Sequence, residues 1–284
     1  MSSRKDNEVI SAKKSYVVYE AIGLALLFGI WFLGSFLIQR ANPQRGRIIL
    51  PSPVQVINDF PGFATYSLEA KGQPSLGLAF WVLIQYSAVS LARLFSGTII
   101  GVVSGILIGL LMGTYKYFNK LVSPSLMIIR TIPILALIPL FLVWFGGKEE
   151  GNILYISFAV FCMIVINTIE AIKNVPPIYQ KFAATLGASK RQTFQTVVLP
   201  CILPELIGGI RVVIGLSWAI VLAAEYLAAE SGIGYMLISS ERYMSTSKMI
   251  VLIVLIMIFA TILNQLFLKL GNYIIRWKPR IGEK

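Results

Sequence analysis

The sequence predicts an all-α, polytopic membrane protein with about six transmembrane helices. Of its 284 residues, 56% are apolar and only 13% are charged, whereas soluble domains contain about 25% charged residues. Several apolar runs reach about 20 residues, the length that a helix needs to cross the hydrocarbon core. Because no strand-length alternation is evident, helices rather than a barrel are expected to satisfy the backbone in lipid. The predicted spans cover about residues 16–38, 80–112, 124–145, 153–171, 206–228 and 249–273.

The first span follows a basic tail at residues 1–15 and is too long for the core of a cleavable signal peptide. We therefore expect a retained helix, with an extracytoplasmic loop that completes the segment 16–79. With the N-terminus inside, the inner segments hold 14 Lys and Arg residues and the outer segments hold 7. The positive-inside rule then places both termini in the cytoplasm, including a C-terminal tail at residues 276–284.

Composition argues against several classes of function. The chain has no histidine, which removes histidine-based acid–base catalysis and histidine metal ligation. Its two cysteines, Cys162 and Cys201, do not indicate a disulfide framework or a metal site. The net charge of +12 is not concentrated in basic clusters with stacking aromatics, so it favours a topological role over nucleic-acid binding. A membrane enzyme is disfavoured because no carboxylate pair lies within the spans.

The second predicted span carries glycine at every fourth residue over five positions. Such a stripe lets the backbone of another helix approach closely in lipid, although glycine is also common in membrane helices by chance. The partner helix could belong to the same chain or to a second copy. The five residues are Gly97, Gly101, Gly105, Gly109 and Gly113.

Prolines mark two further features. The segment Leu50-Pro-Ser-Pro53 is predicted to open a short helix at residues 54–60, outside the membrane. Pro133 and Pro139 fall within the third predicted span, where each removes a backbone donor and is expected to kink the helix.

A long polar loop at residues 174–204 separates the fourth and fifth spans. Pro176-Pro177 can open a helix that Gly187 ends, and Ser189 with Gln192 has the form of a capping box that starts a second helix. That second helix is predicted to run to about residue 198, where Leu199-Pro200 ends it. Two short helices around a glycine hinge suit a docking site for a soluble partner. They also suit an amphipathic pair that rests on lipid headgroups.

The loop resembles the EAA motif of ABC importer permeases, whose pattern is Glu-Ala-Ala, three residues, Gly, nine residues and Ile-x-Leu-Pro. Gly187 and Leu199-Pro200 match the pattern, whereas Lys181 and Phe182 replace its Glu and first Ala. The resemblance implies that this loop contacts a separate ATPase. The residues so implied are Lys181, Phe182, Ala183, Ala184, Leu186, Gly187, Ala188, Ser189, Leu199 and Pro200.

Further segments, from about residue 50 onward, resemble permeases of the nitrate, sulfonate, taurine and bicarbonate importers. The resemblance implies the transmembrane domain of a type I ABC importer in a bacterial inner membrane, with a permease core at residues 80–275. It also implies two ATPase subunits, a second permease copy or a paralogue, and an extracytoplasmic solute-binding protein. ATP and Mg²⁺ would bind to the ATPase, since this chain has no phosphate-binding loop motif; no cofactor or metal is expected here. The segments are Leu50–Pro53, Gly109–Gly113, Arg130–Phe141, Trp144–Gly146, Ala224–Glu225 and Gly232–Tyr235.

Ionisable residues within spans are functional candidates, so some of them are predicted to line a translocation path. Arg130 could attract an anion, or it could pair with Glu170 or Glu205 or extend to the inner headgroups. Glu225 could shape an outer gate, or pair with Arg93 or Arg242. The predicted path residues are Arg130, Thr131, Ser217, Trp218 and Glu225.

The alternative function is a secondary transporter or channel that works alone. It predicts inverted repeats with broken helices at matching positions, and no such repeat is evident in the sequence. It also leaves the basic loop without a role.

Overall fold

The computed structural model describes residues 2–66 and 75–277, with most side chains from Tyr19 onward, and every regular element in these ranges is a helix. The predicted all-helical fold is therefore confirmed. Residues 67–74 of the predicted outer loop and residues 278–284 of the predicted C-terminal tail lie outside the described residues. The α-helices are α1 (Ser2–Ala41), α2 (Gly46–Ile49), α3 (Pro53–Asp59), α4 (Leu76–Thr114), α5 (Lys116–Ile129), α6 (Ile138–Phe145), α7 (Glu149–Lys173), α8 (Pro177–Thr185), α9 (Lys190–Thr193), α10 (Leu199–Ala228), α11 (Ile233–Arg242) and α12 (Thr246–Ile274).

Four helical segments in the described part of the chain are long and apolar enough to cross a membrane, and a bent pair makes a fifth if it is counted as one span. A shorter apolar helix, Ala25–Ala41, lies within α1. The four long segments contain the second, fourth and sixth predicted spans and the fifth up to residue 226. They are Leu76–Thr114, Glu149–Lys173, Lys190–Tyr226 and Thr246–Ile274.

The third predicted span is broken rather than kinked. α5 ends at Ile129, a 3₁₀ turn covers Ile134–Leu137, and α6 follows at a bend of 87°. Pro133 precedes the 3₁₀ turn and Pro139 lies in the first turn of α6. The prediction that these prolines lie inside one helix was therefore wrong. Proline disfavours a helical conformation in the residue before it but suits a first turn, so both prolines begin new elements.

The second helix of the 174–204 loop does not end at Leu199-Pro200, as the sequence predicted. α9 continues through a π-helical turn, Phe194–Val198, into α10. In that turn the N–H of Leu199 donates to the carbonyl of Phe194, five residues back. Pro200 has no N–H to donate, and the wider turn accommodates its ring at the start of α10.

The described residues fall into two compact units. In the first (residues 1–82 and 239–251), the end of α1 packs on the chain before α3: Trp31 Nε1 donates to the carbonyl of Pro51 at 3.0 Å and Ser35 Oγ to that of Leu50 at 3.1 Å. Lys248 Nζ lies 5.1 Å from the centre of the Tyr66 ring, which is cation–π distance.

The second unit (residues 83–238 and 252–284) contains the core around α7. α4, α5 and α7 meet in one apolar cluster of Met112, Leu126 and Val165. The end of α7 packs on α10 through a second cluster that includes Ala171 and Ile202. α7 is therefore the central helix of this unit.

Candidate coupling loop and buried polar network

The first helix of the 174–204 loop is defined at both ends by local sequence. Pro177 occupies the first turn of α8, and Gly187 follows its end with a φ of +78°, a conformation that favours glycine. The N–H of Gly187 donates to the carbonyl of Ala184 at 3.0 Å, and the N–H of Ala188 donates to that of Ala183 at 3.1 Å. These two bonds form a Schellman motif, so Gly187 holds a fixed corner.

The second loop helix begins with the capping box that the sequence indicates. The N–H of Gln192 donates to Ser189 Oγ at 3.3 Å, and the N–H of Ser189 donates to Gln192 Oε1 at 2.9 Å. Two backbone donors are thereby satisfied at the start of α9. The corner and the capped helix together make a compact protrusion between α7 and α10.

The protrusion exposes large apolar side chains, with Phe182 at 63% and Leu186 at 73% exposure, whereas Ala183 is buried. An open groove of about 1200 Å³ lies between α8 and the start of α10. Residues from the beginning and from the end of the EAA-like segment both line it. Of the predicted contact residues, Lys181, Ala184, Gly187, Ser189 and Leu199 do not line this groove. Those that do are Phe182, Ala183, Leu186, Ala188 and Pro200.

The glycine stripe of α4 faces α7 of the same chain. A Cβ added to Gly101 would approach Val160 Cβ to 2.6 Å, and one added to Gly109 would approach Thr168 Cβ to 2.5 Å. Distances this short leave no space for a side chain, so the backbone of α4 contacts α7 directly. In order, Gly97, Gly101, Gly105, Gly109 and Gly113 lie against Ile156, Val160, Ile164, Thr168 and Ile172.

Arg93 and Glu225 form a buried ion pair between α4 and α10. Arg93 Nη1 donates to Glu225 Oε1 at 2.9 Å, and the side chains are 2% and 0% exposed. Arg93 also pairs with Glu149, whose side chain is 58% exposed, and its Nε donates to Glu149 Oε2 at 2.7 Å. A buried charge is retained only when it is paired and hydrogen-bonded, and both conditions hold for Glu225.

The chain between α10 and α11 wraps around this pair. Arg93 Nη1 donates to the carbonyl of Ser231 at 2.7 Å, while Ser90 Oγ and the N–H of Gly234 donate to Glu225 Oε2 at 2.8 and 2.9 Å. Gly232 has a φ of +103°, and a Cβ there would collide with the carboxylate of Glu225. The pair therefore fixes the start of α11 to α4 and α10.

The predicted path residues are divided between two environments. Arg130 and Thr131 are exposed at the break after α5, and Thr131 Oγ1 donates to the carbonyl of Ile128 at 2.7 Å. Ser217, Trp218 and Glu225 are buried, and the Trp218 ring stacks on Phe259 with centroids 6.2 Å apart. Within the described ranges, Arg130 has no ion pair with Glu170 or Glu205.

The sequence interpretation missed the extent of the Arg93 network. Glu149 was not singled out, and Ser90 and Ser231 were not connected to it. One signal was available: Ser90 and Arg93 are three residues apart and share a face of an otherwise apolar helix, and such residues seek polar partners.

Comparison with known proteins decides the family. A profile described as "Binding-protein-dependent transport system inner membrane component" matches residues 97–275. The taurine transport system permease protein TauC of Escherichia coli (strain K12) is 31% identical over 85% of this chain and 82% of its own length. This chain belongs to that permease family.

Two further relatives extend the comparison. The putative aliphatic sulfonates transport permease protein SsuC of Bacillus subtilis (strain 168) is 29% identical over 81% of this chain and 78% of its own length. The nitrate import permease protein NrtB of Synechococcus elongatus is 29% identical over 78% of this chain and 75% of its own length. The chain is thus a permease of the ABC importer class, in the branch of these relatives, and coupling to an ATPase is the general role of the family.

Solved structures support the fold of the permease. The inward-facing MetNI methionine ABC transporter gives a TM-score of 0.59 at 21% identity, covering 71% of this chain and 98% of that one. The crystal structure of an amino acid ABC transporter with histidines gives a TM-score of 0.54 at 21% identity, covering 70% of this chain and 95% of that one. The fold is that of a type I importer transmembrane domain.

Proposed function

We propose that this permease imports a small anionic solute of the sulfonate, taurine, nitrate or bicarbonate class and is driven by a separate ATPase that binds the 174–204 loop. The observation that carries the proposal is the exposed apolar surface of this loop, at Phe182 and Leu186, held between the corner at Gly187 and the capped helix at Ser189. ATP can shift the permease between two states only if the ATPase makes different contacts with the loop in each state. A loop with a fixed shape transmits such a difference to the helices that follow it.

In this mechanism ATP and Mg²⁺ bind to two ATPase subunits on the cytoplasmic side, and a solute-binding protein delivers the solute from outside. Two permease copies, or this chain and a paralogue, enclose the path. ATP binding draws the ATPase subunits together, and each loop transmits that movement through α10, which continues from α9 without interruption.

The C-terminus and the N-terminus both lie in the cytoplasm of a bacterial cell; a reporter fused after Lys284 that is extracytoplasmic would contradict this topology.

Cysteine crosslinking in native membrane vesicles tests the coupling. Leu186→Cys, made in a Cys201→Ser background because Cys201 is exposed, should crosslink to a subunit that hydrolyses ATP. Val143→Cys is the matched control, since Val143 is 81% exposed but lies on α6, and it should capture no such subunit.

Two results would contradict the proposed function. One is crosslinking of Leu186→Cys only to membrane proteins that do not hydrolyse ATP, with no ATPase in the purified complex. The other is accumulation of solute by the purified permease alone, without nucleotide, which would favour a secondary transporter.

A further inference from the structure

A small cavity lies where the end of α6 meets the start of α7, and Ala224 of α10 forms part of its wall. Its volume is about 10 Å³, which is close to the space that one water molecule needs and too little for a larger ligand. The two helices touch beside it, since a Cβ added to Gly151 would lie 2.8 Å from Phe145 Cβ. None of the described residues that line this cavity also lines the loop groove.

Asn152 of α7 brings an unsatisfied hydrogen-bond donor to this cavity. The residue is 5% exposed and lines the cavity. Its Nδ2 is buried and has no hydrogen-bond partner among residues 2–66 and 75–277. Native proteins rarely leave a buried amide donor unsatisfied, because the hydration that it loses on burial is then not replaced. The donor therefore calls for an acceptor that the chain itself does not supply.

The cavity is also lined by two groups that can accept a hydrogen bond. Tyr155 is 2% exposed, and its hydroxyl donates to the carbonyl of Ile134 at 3.2 Å. Because its only proton is committed to that bond, the Tyr155 oxygen can only accept a further one. The carbonyl of Gly146, at the end of α6, accepts no backbone hydrogen bond in the described part of the chain. The lining thus offers one donor and two acceptors.

This set of groups selects water over an ion. A water molecule can accept one hydrogen bond and donate two, and a buried water typically makes about three. A cation cannot accept from Asn152 Nδ2, and Asn152 is the fourth residue of α7, near the positive end of that helix. An anion cannot donate to the Tyr155 oxygen or to the Gly146 carbonyl.

We propose that one water molecule is bound in this cavity, where it accepts from Asn152 Nδ2 and donates to Tyr155 Oη and to the Gly146 carbonyl. It attaches the end of α6 to α7. The other end of α6 is already held, because Tyr155 bonds to Ile134 in the preceding turn and its ring packs on Phe141 with centroids 5.5 Å apart. α6 is then fixed to α7 on the far side of the 87° bend from α5. The inference does not depend on the solute or on the ATPase.

Radiolytic hydroxyl labelling of the intact permease in lipid nanodiscs tests for the water. The radicals form from water, so a buried ring is labelled quickly only when a water molecule is held beside it. Each rate is divided by the intrinsic reactivity of its residue type. Tyr155 should be labelled severalfold faster than Phe63, which is 0% exposed and stacks on Tyr66. In Asn152→Leu, the Tyr155 rate should fall to that of Phe63.

The thermal unfolding midpoint of Asn152→Leu gives a second test, because its sign depends on the water. Leucine has a similar size but no donor, so in a dry cavity the substitution would remove an unsatisfied group and leave the midpoint unchanged or higher. With the water bound, it removes a hydrogen-bonded bridge and should lower the midpoint by about 2–4 °C. Thr98→Val is the matched control. Thr98 Oγ1 is also buried without a partner in the described ranges, but Thr98 does not line this cavity, so its loss should not lower the midpoint.

Amide hydrogen exchange reports on the attachment of α6. The last turn of α6, residues 142–145, should exchange faster in Asn152→Leu than in wild type, and Thr98→Val should leave it unchanged. Equal labelling of Tyr155 and Phe63 in wild type would overturn the proposal, and this result is available even if Asn152→Leu does not fold. An unchanged or higher midpoint for Asn152→Leu would also overturn it. So would a wild-type midpoint that rises in sodium but not in N-methylglucamine buffer and does so only while Asn152 is present, since that result would indicate a cation on the amide oxygen.

Discussion

Gly105 of α4 lies directly against Ile164 of α7, and a Cβ atom added to the glycine would approach Ile164 Cβ to 2.8 Å. Protein Cβ atoms do not pack that closely to one another. The two helices are therefore as near as their backbones allow, and any side chain at residue 105 must separate them.

We expect Gly105→Leu to prevent native assembly of the permease. Gly105→Ala should fold but lose about 1–3 kcal/mol of stability through overpacking. Thermal unfolding in detergent and size-exclusion profiles measure the effect. Gly215→Ala is the control, because nothing lies within 4 Å of a Cβ there, and it should leave stability unchanged or raise it by up to about 1 kcal/mol. A normal profile for Gly105→Leu would contradict the packing.

Replacing Glu225 with Gln should destabilise the protein by about 3–5 kcal/mol, because it leaves the buried Arg93 short of a partner charge. Glu149→Gln should cost far less, about 0–1 kcal/mol, since Glu149 is largely exposed to water. Unfolding midpoints of the two variants make the comparison. Adding Arg93→Met to Glu225→Gln should recover part of the loss, and strictly additive losses would argue against a coupled pair.

Trp218 has a predicted path role and a packing role, and two substitutions separate them. Trp218→Ala should lose about 3–5 kcal/mol, because a buried ring stacked on Phe259 is removed. Trp218→Phe keeps much of that contact and should retain both stability and transport. If Trp218→Phe is stable but changes the uptake rate severalfold, the side chain lines the path. Trp144→Ala, at a site 61% exposed, is the control.

The corner at Gly187 should be sensitive to a single methyl group. Its φ of +78° costs an L-residue about 1–2 kcal/mol, so Gly187→Ala should distort the loop locally while leaving the global unfolding midpoint nearly unchanged. In the reconstituted complex we expect a lower stimulation of ATP hydrolysis by the solute-binding protein. Gly208→Ala, in α10 with open space around its Cα, should keep full stimulation, and equal values for the two variants would argue against a fixed corner.

Local features of the fold could be predicted from the sequence because their causes are local. The first turn at Pro177, the corner at Gly187 and the capping box of Ser189 each depend on residues within about one turn. The glycine spacing indicated a close-packed face for the same reason. Its partner, α7, could not be identified, since the choice of partner depends on the whole packed unit.

The prolines show where local reasoning ends. Pro133 and Pro139 disfavour a continuous helix in any context, but whether the helix kinks or stops depends on contacts made elsewhere in the chain. The Arg93 network also depends on contacts between residues that are far apart in the chain. Arg93 and Glu225 are separated by 132 residues in the chain, and either of two partners for Glu225 was compatible with the sequence alone.

The glycine ladder restricts how α4 and α7 can move during a transport cycle. Each of the five glycines on α4 contacts one side chain of α7, at intervals of four residues along both helices. A shift along the axis would move these side chains off the glycines and against neighbouring residues of α4 that carry side chains, and the next glycine lies about 6 Å away along the axis. We therefore expect α4 and α7 to move together in the proposed transport cycle, with any rearrangement at breaks between other helices, such as the sharp bend between α5 and α6.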